Sequence, residues 1–295
     1  MNTGNQDIDI KNRDKIFFPG EKISKGELID YYREAGDRFL SYASGRPIML
    51  HRFPDGIKKQ GFYHKDRPDY FPEWIHSVIL KKEGGTVDMV TIDKVSVLVY
   101  LANQGTIAFH GWLSRQDEPD VPDKMVFDLD PPKSGDFKKV VKGAGIIRDF
   151  FRDRMDTEVF FKLTGSRGIH VVVPLRRDAD FDLTRKLARS VAEQIAGEHD
   201  DMLTVEPRKN KRRGRLFLDY LRNGYAQTTI LPYSIRPLKG APVAMPVEWD
   251  EIRDGTMKPD HFSMKTALAR IREGKDPWKN MMKHGRKVSA MEKEI

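Results

Sequence analysis

From Ser24 to Ala43 (SKGELIDYYREAGDRFLSYA) apolar residues recur at helical spacing, and Ser24 followed by Glu27 has the form of a capping box. One helix over 24–43 is the expectation. The stretch His51 to Pro72 is crowded with Gly, Pro and aromatic residues and reads as strand and loop, whereas 93–103 (DKVSVLVYLAN) reads as a buried helix and Thr106 to Trp112 as a short strand. Beyond this point the pattern alternates. KMVFDLDPP (124–132) is a strand ending at a double proline, followed by a helix over 136–154 and a strand over 157–163. GIHVVVPL (168–175) is a further strand, 182–198 an amphipathic helix and RLFLDYL (215–221) a strand again. Strands that alternate with helices, yet also follow one another directly, predict a mixed-sheet α/β (α+β) core. No Pro/Gly/Ser linker divides the chain, so a single domain over 1–295 is expected, with its core at about 10–272 and peripheral tails at 1–9 and 276–295.

Composition narrows the possibilities. With 39% apolar and 10% aromatic residues the chain can build a core, which excludes global disorder. Lys plus Arg (52) exceed Asp plus Glu (44), and the net charge of +8 favours a polyanionic partner. There is no cysteine, so disulfides, zinc ribbons and thiol nucleophiles are excluded and any metal must sit on His, Asp, Glu or backbone oxygen. The N-terminus MNTGNQDIDIKNRDK lacks the apolar core of a signal peptide, and no apolar run is long enough to span a bilayer. A cytoplasmic protein without membrane contact is the expectation.

The sharpest chemical feature is Phe127-Asp128-Leu129-Asp130-Pro131-Pro132. Alternate residues of a strand share a face, so Asp128 and Asp130 project together and form a natural cradle for Mg²⁺ or Mn²⁺. A solvated strand end fits the same bare pair. Asp219 is a lone acid in the apolar run Leu216-Phe217-Leu218-Asp219-Tyr220, and such a break in pattern is where function is expected. An arginine partner would explain it equally. Three strand-borne carboxylates could hold two metal ions for phosphoryl transfer. Between them, Thr164-Gly165-Ser166-Arg167-Gly168-Ile169-His170 makes a tight turn able to present N–H groups and charge to phosphates. Arg208 to Arg215 carries six basic residues in eight, a solvated charged face or a contact with a nucleic-acid backbone. Phe62-Tyr63 lies among basic residues and, on a loop, could stack on bases. Arg236 is a candidate phosphate clamp.

In this order the motifs DKIFFPG with Lys25, RFPDG, the aromatic pair, FHGW, FDLDPP, TGSRGIH, DYLRN and PYSIRP resemble the polymerase domain of bacterial and archaeal DNA ligase D, a branch of the archaeo-eukaryotic primase superfamily. The resemblance runs from about Ile10 to Arg272. It implies a primase-type α/β core with an RRM-like sheet. It assigns Asp128, Asp130 and Asp219 as catalytic metal ligands for two Mn²⁺ or Mg²⁺ ions. Arg52, His110, Thr164, Gly165, Arg167, His170 and Arg236 would bind the incoming NTP or dNTP, with Thr164 and Arg167 standing where the family more often has Ser and Lys. Phe62, Tyr63 and Arg212 would contact DNA, and Lys15 and Lys25 a downstream 5′-phosphate. The implied activity is template-dependent nucleotide addition at gaps and 3′ ends in non-homologous end joining, with a preference for NTPs, on DNA bearing 5′-phosphorylated ends. Ku and a separate DNA ligase are the expected partners, and the nucleoid the expected place. Neither Asp55-Gly56 nor Asp254-Gly255 has the Lys two residues upstream that an adenylation site needs, so the chain reads as a stand-alone polymerase or an excised domain unable to seal DNA. A primase that starts chains de novo and a non-catalytic DNA-end-binding module are the alternative readings.

Overall fold

The computed structural model describes residues 8–131 and 137–295, so Pro132 of the expected double-proline stop lies outside the described residues. Two compact units divide the chain. The first comprises residues up to Trp112 together with Thr228–Ala244 and Phe262–Lys275; the second comprises Leu113–Gln227, Met245–His261 and Asp276–Ile295.

In the first unit the capping box forms as expected: the Ser24 hydroxyl accepts from Glu27 N and the Glu27 carboxylate from Ser24 N, starting the helix Lys25–Glu34. The expected single helix is broken. It ends at Glu34, and a second helix runs Gly36–Ala43. Ala35 closes the first helix, its N–H donating to Tyr31 O, and Gly36 opens the second where a Cβ would lie 2.7 Å from the Val95 methyls. These helices and Val95–Asn103 line the core with Leu28, Tyr32, Phe39, Val97 and Leu98, all fully buried. The buried Tyr32 hydroxyl is satisfied by donating to Ile107 O and accepting from Ile235 N (2.9 Å). An antiparallel sheet has the order Thr228–Ile230, Thr106–Trp112, Ile48–Arg52, Phe62–His64. Thr106–Trp112 has the bounds read from its pattern.

The second unit is built on a seven-stranded mixed sheet. Its order is Leu203–Thr204, Leu216–Asp219, Lys124–Asp130, Ile169–Arg176, Phe160–Leu163, Met245–Val247, with Arg286–Lys287 added to Ile169–Arg176. Helices Phe137–Met155 and Phe181–Glu198 bury Val140, Ala144, Ile147 and Phe151, and Leu187, Val191 and Ile195, respectively. Asn223, fully buried, closes the far side of Lys124–Asp130 by accepting from Val126 N (2.7 Å) and donating to Val126 O (2.8 Å). The polar stretch after 276 docks on this unit: Trp278 Nε1 donates to Phe161 O (3.0 Å), and Met281, Val288 and Met291 are buried. Among the described residues no helix is long and apolar enough to cross a membrane.

Candidate active site and nucleic-acid interface

Sheet register assembles the charged residues of the second unit. Asp128 pairs with Asp219 on one side and His170 on the other, and His170 pairs with Lys162. Directly opposed residues share a face, so Asp219, Asp128, His170 and Lys162 form one row across the sheet. Asp130, two residues along, points the same way as Asp128 and pairs with Phe217. His170 Nε2 lies 3.5 Å from Asp128 Oδ1. Arg222, at the turn Leu221–Asn223, sets its Nε 3.5 Å from Asp219 Oδ2 and 3.7 Å from Asp128 Oδ2.

The environment divides the three acids. Burial disfavours the charge of Asp128, but His170, then Arg222 and Lys162, outweigh it and hold its carboxyl below the usual carboxylate range. Burial and the Asp128 charge raise both Asp130 and Asp219. Burial pushes the His170 imidazole below its ordinary value; Asp128 opposes this, while Lys162 and Arg222 add to it. With the anion favoured at Asp128 and disfavoured at Asp130 and Asp219, the site is short of positive charge. Among the described residues the side chains do not converge into a ready-made metal cluster, and Arg222 supplies the countercharge. Hard carboxylate oxygens from Asp128, Asp130 and Asp219 are nevertheless the donor set that Mg²⁺ or Mn²⁺ takes.

The Thr164–Gly168 turn abuts the end of the acidic strand. A Cβ on Gly168 would lie 2.2 Å from Leu129 O and 3.7 Å from Asp130 Oδ1, so only glycine permits this approach. Thr164 closes the turn on itself, its hydroxyl bonding both Gly168 O (3.1 Å) and Gly168 N (3.3 Å). Gly165 takes a left-handed φ of +66°, and its N–H donates to Pro259 O. Arg167 is exposed. With Lys209 and Arg212 it lines a cavity of about 310 Å³ beside Asp130. Arg212 is fixed there: it stacks 3.9 Å from the Phe217 ring centre and donates to Glu206 O and Pro207 O.

In the first unit, Lys15 and Lys25 are neighbours: Lys25 N donates to Lys15 O, and Lys15 pairs with Asp55 at 2.5 Å. Burial, then Lys15, lowers the Lys25 ammonium, whose Nζ donates to Lys11 O at 2.8 Å. Two ammonium groups confined this way favour an anion between them. Phe62-Tyr63 lies on the strand Phe62–His64 and not on a loop, so its two rings leave opposite faces. Tyr63 stacks on His51 and meets His110 edge-on at 6.0 Å. Phe62 lies over Arg52, at 5.5 Å. Arg52 is 6% exposed, with its guanidinium bonded to Gln104 O, His64 Nδ1 and Tyr70 Oη. Arg236 is half-buried and near enough to His51 to depress its pKa.

Arg222, Lys162 and His51 were missed by sequence reasoning. Lys162 carried a readable signal, a lone charge in the apolar strand FFKL, the same break in pattern that marks Asp219. Arg222 stands three residues after Asp219, a spacing that gains meaning only with the turn that follows the strand.

Acids on adjacent strands, with a basic cavity alongside, suit phosphoryl transfer on a polyanionic substrate. The solved polymerase domain of Mycobacterium tuberculosis ligase D in complex with DNA matches this chain with a TM-score of 0.89, over 95% of this chain and 100% of that one, at 27% identity. The family described as LigD, primase-polymerase domain, matches residues 24–278, and the chain belongs to that family. The multifunctional non-homologous end joining protein LigD of Mycolicibacterium smegmatis is 30% identical over 268 residues, covering 90% of this chain and 35% of the relative. The bifunctional non-homologous end joining protein LigD of Bacillus subtilis is 30% identical over 271 residues, covering 90% of this chain and 43% of that protein. The chain thus spans less than half the length of these relatives. The motif resemblance and the mixed α/β fold class are both borne out.

Proposed function

We propose that this chain is a template-dependent nucleotidyltransferase that fills gaps and extends 3′ ends during non-homologous end joining, with a preference for NTPs over dNTPs. The observation that carries the proposal is the row Asp219–Asp128–His170 with Asp130 beside it, abutted by a turn and a basic cavity. Two divalent ions held by Asp128, Asp130 and Asp219 would supply Lewis-acid activation of a primer 3′-hydroxyl and charge for a departing pyrophosphate. The chain's own residues then have distinct tasks. Asp128 stays ionised through His170, Arg222 and Lys162. His170 keeps its Nε2 toward Asp128, 3.5 Å from Oδ1. Arg167 and Arg212 place charge beside Asp130 for phosphate oxygens, and Thr164 and Gly165 hold the turn in shape. On the first unit, Lys15 and Lys25 would take a 5′-phosphate, Phe62 and Tyr63 unpaired bases, and Arg52, His110 and Arg236 nucleotide groups. Ku and a separate ligase remain the proposed partners, with a cytoplasmic, nucleoid-associated location.

The test is primer extension on a gapped duplex with a 5′-phosphate, run with NTPs and dNTPs separately in Mn²⁺ and in Mg²⁺, beside Asp128→Asn. Templated addition lost in the variant is the expected result. Tight DNA binding without addition would make the chain an end-binding module instead, and synthesis on a single strand without a primer would make it a primase.

A further inference from the structure

Tyr63 has His51 stacked on it and His110 in a T-shaped contact at 6.0 Å. Tyr63 stands on Phe62–His64, the edge strand of its sheet, directly opposite His51. The two rings are stacked, with centroids 4.1 Å apart and planes at 19°. His51 also meets Phe53, with centroids 4.5 Å apart and planes tilted by 53°. Phe53 is buried and is pressed by the chain at Gly61, where a Cβ would fall 2.4 Å from its ring. The series Phe53–His51–Tyr63 therefore starts in the core and ends at the sheet edge, where Tyr63 is 57% exposed.

We propose that His51 is a positioning residue whose ring holds that of Tyr63, the more exposed member of the aromatic pair, in the orientation from which it packs on a base. The proposal rests on the nucleic-acid reading of the aromatic pair and assigns its two members different work. Phe62 leaves the other face of the strand and caps the Arg52 guanidinium, so it does not share a base with Tyr63. His51 suits the role as an uncharged ring. Burial, then Arg236, pushes its pKa down to about 4, so at neutral pH it stacks as an aromatic without carrying a charge. A ring already fixed against a partner loses little freedom when a base arrives, which is the gain from preorganisation.

A short single-stranded oligonucleotide carrying one 2-aminopurine, titrated into the full chain, reports stacking by fluorescence quenching and affinity by anisotropy. Tyr63→Ala is expected to abolish the quench and weaken binding about tenfold, within the range for one base–aromatic stack. His51→Ala is expected to weaken binding about three- to tenfold with partial loss of quench, and His51→Phe to restore both. Phe62→Ala should leave the quench intact. Unchanged quench in His51→Ala beside a loss in Tyr63→Ala overturns the positioning role and leaves base stacking standing. Retained quench and affinity in Tyr63→Ala remove the stacking reading itself. Equal loss in Phe62→Ala overturns the division of labour. A His51→Ala loss that His51→Phe does not restore, accompanied by a lowered urea midpoint, marks a merely structural residue and also overturns it.

Discussion

Gly168→Ala tests the link between strand geometry and catalysis at a single atom. The Cβ of alanine would stand 2.2 Å from Leu129 O, against the 3.0 Å below which real Cβ contacts are essentially absent. The turn or the acidic strand must therefore yield by at least about 0.8 Å. Leu129 cannot give way cheaply, because it is paired on both sides, with Ile169 and Leu218. Asp130 follows Leu129 directly, so the displacement falls on a proposed metal ligand and on the Arg167 side of the turn. Misplacing reacting groups by about 1 Å costs on the order of 10²-fold in rate, and overpacking a well-packed region costs about 1–3 kcal/mol. Single-turnover extension on a gapped duplex should slow about 100-fold in Gly168→Ala, while affinity for the duplex stays within about twofold. Gly197→Ala is the control. It lies in the helix Phe181–Glu198 with nothing within 4 Å of a Cβ, and should gain about 0.5–1 kcal/mol from helix propensity with unchanged rate. An extension rate for Gly168→Ala within threefold of the parent would refute the argument.

Three further outcomes follow from the same geometry. The Asp219 pKa is raised in the fold, so its ionised form costs stability at neutral pH, and the cost vanishes as pH falls through that pKa and below the ordinary carboxylate value. Asp219→Asn should therefore raise the urea midpoint at pH 7, with the gain fading by about pH 3, while extension falls by on the order of 10²–10³-fold or more; a lower midpoint at pH 7 would contradict this. Lys25→Met should erase about 10–100-fold of preference for a downstream 5′-phosphate, as measured by competition between phosphorylated and unphosphorylated duplexes, and an unchanged ratio would remove Lys25 from that pocket. Asn223→Ala leaves Val126 N–H and C=O without partners in the core and should cost about 2–4 kcal/mol in urea denaturation, with activity per folded molecule preserved.

Local periodicity alone determined much of this protein. The bounds of the strand Thr106–Trp112, the capping box at Ser24 and Glu27, and the shared face of Asp128 and Asp130 all follow from repeats of a few residues, which any stretch of chain carries within itself. The ordered motifs added the family. Pairing between distant strands decided the rest. The register Asp219–Asp128–His170–Lys162 is set by four strands from different parts of the chain, and a one-residue slip of any of them would send its member of the row to the opposite face. The same holds for the close approach of Gly36 to Val95 on another helix, and for the docking of the polar stretch after 276, whose few apolar residues find cover only in the finished fold. Tyr63 and Phe62 are adjacent in sequence, yet they part company because their segment joins a sheet edge and becomes a strand, where neighbours must face opposite ways. Period is a property of the chain; register and proximity are properties of what it packs against.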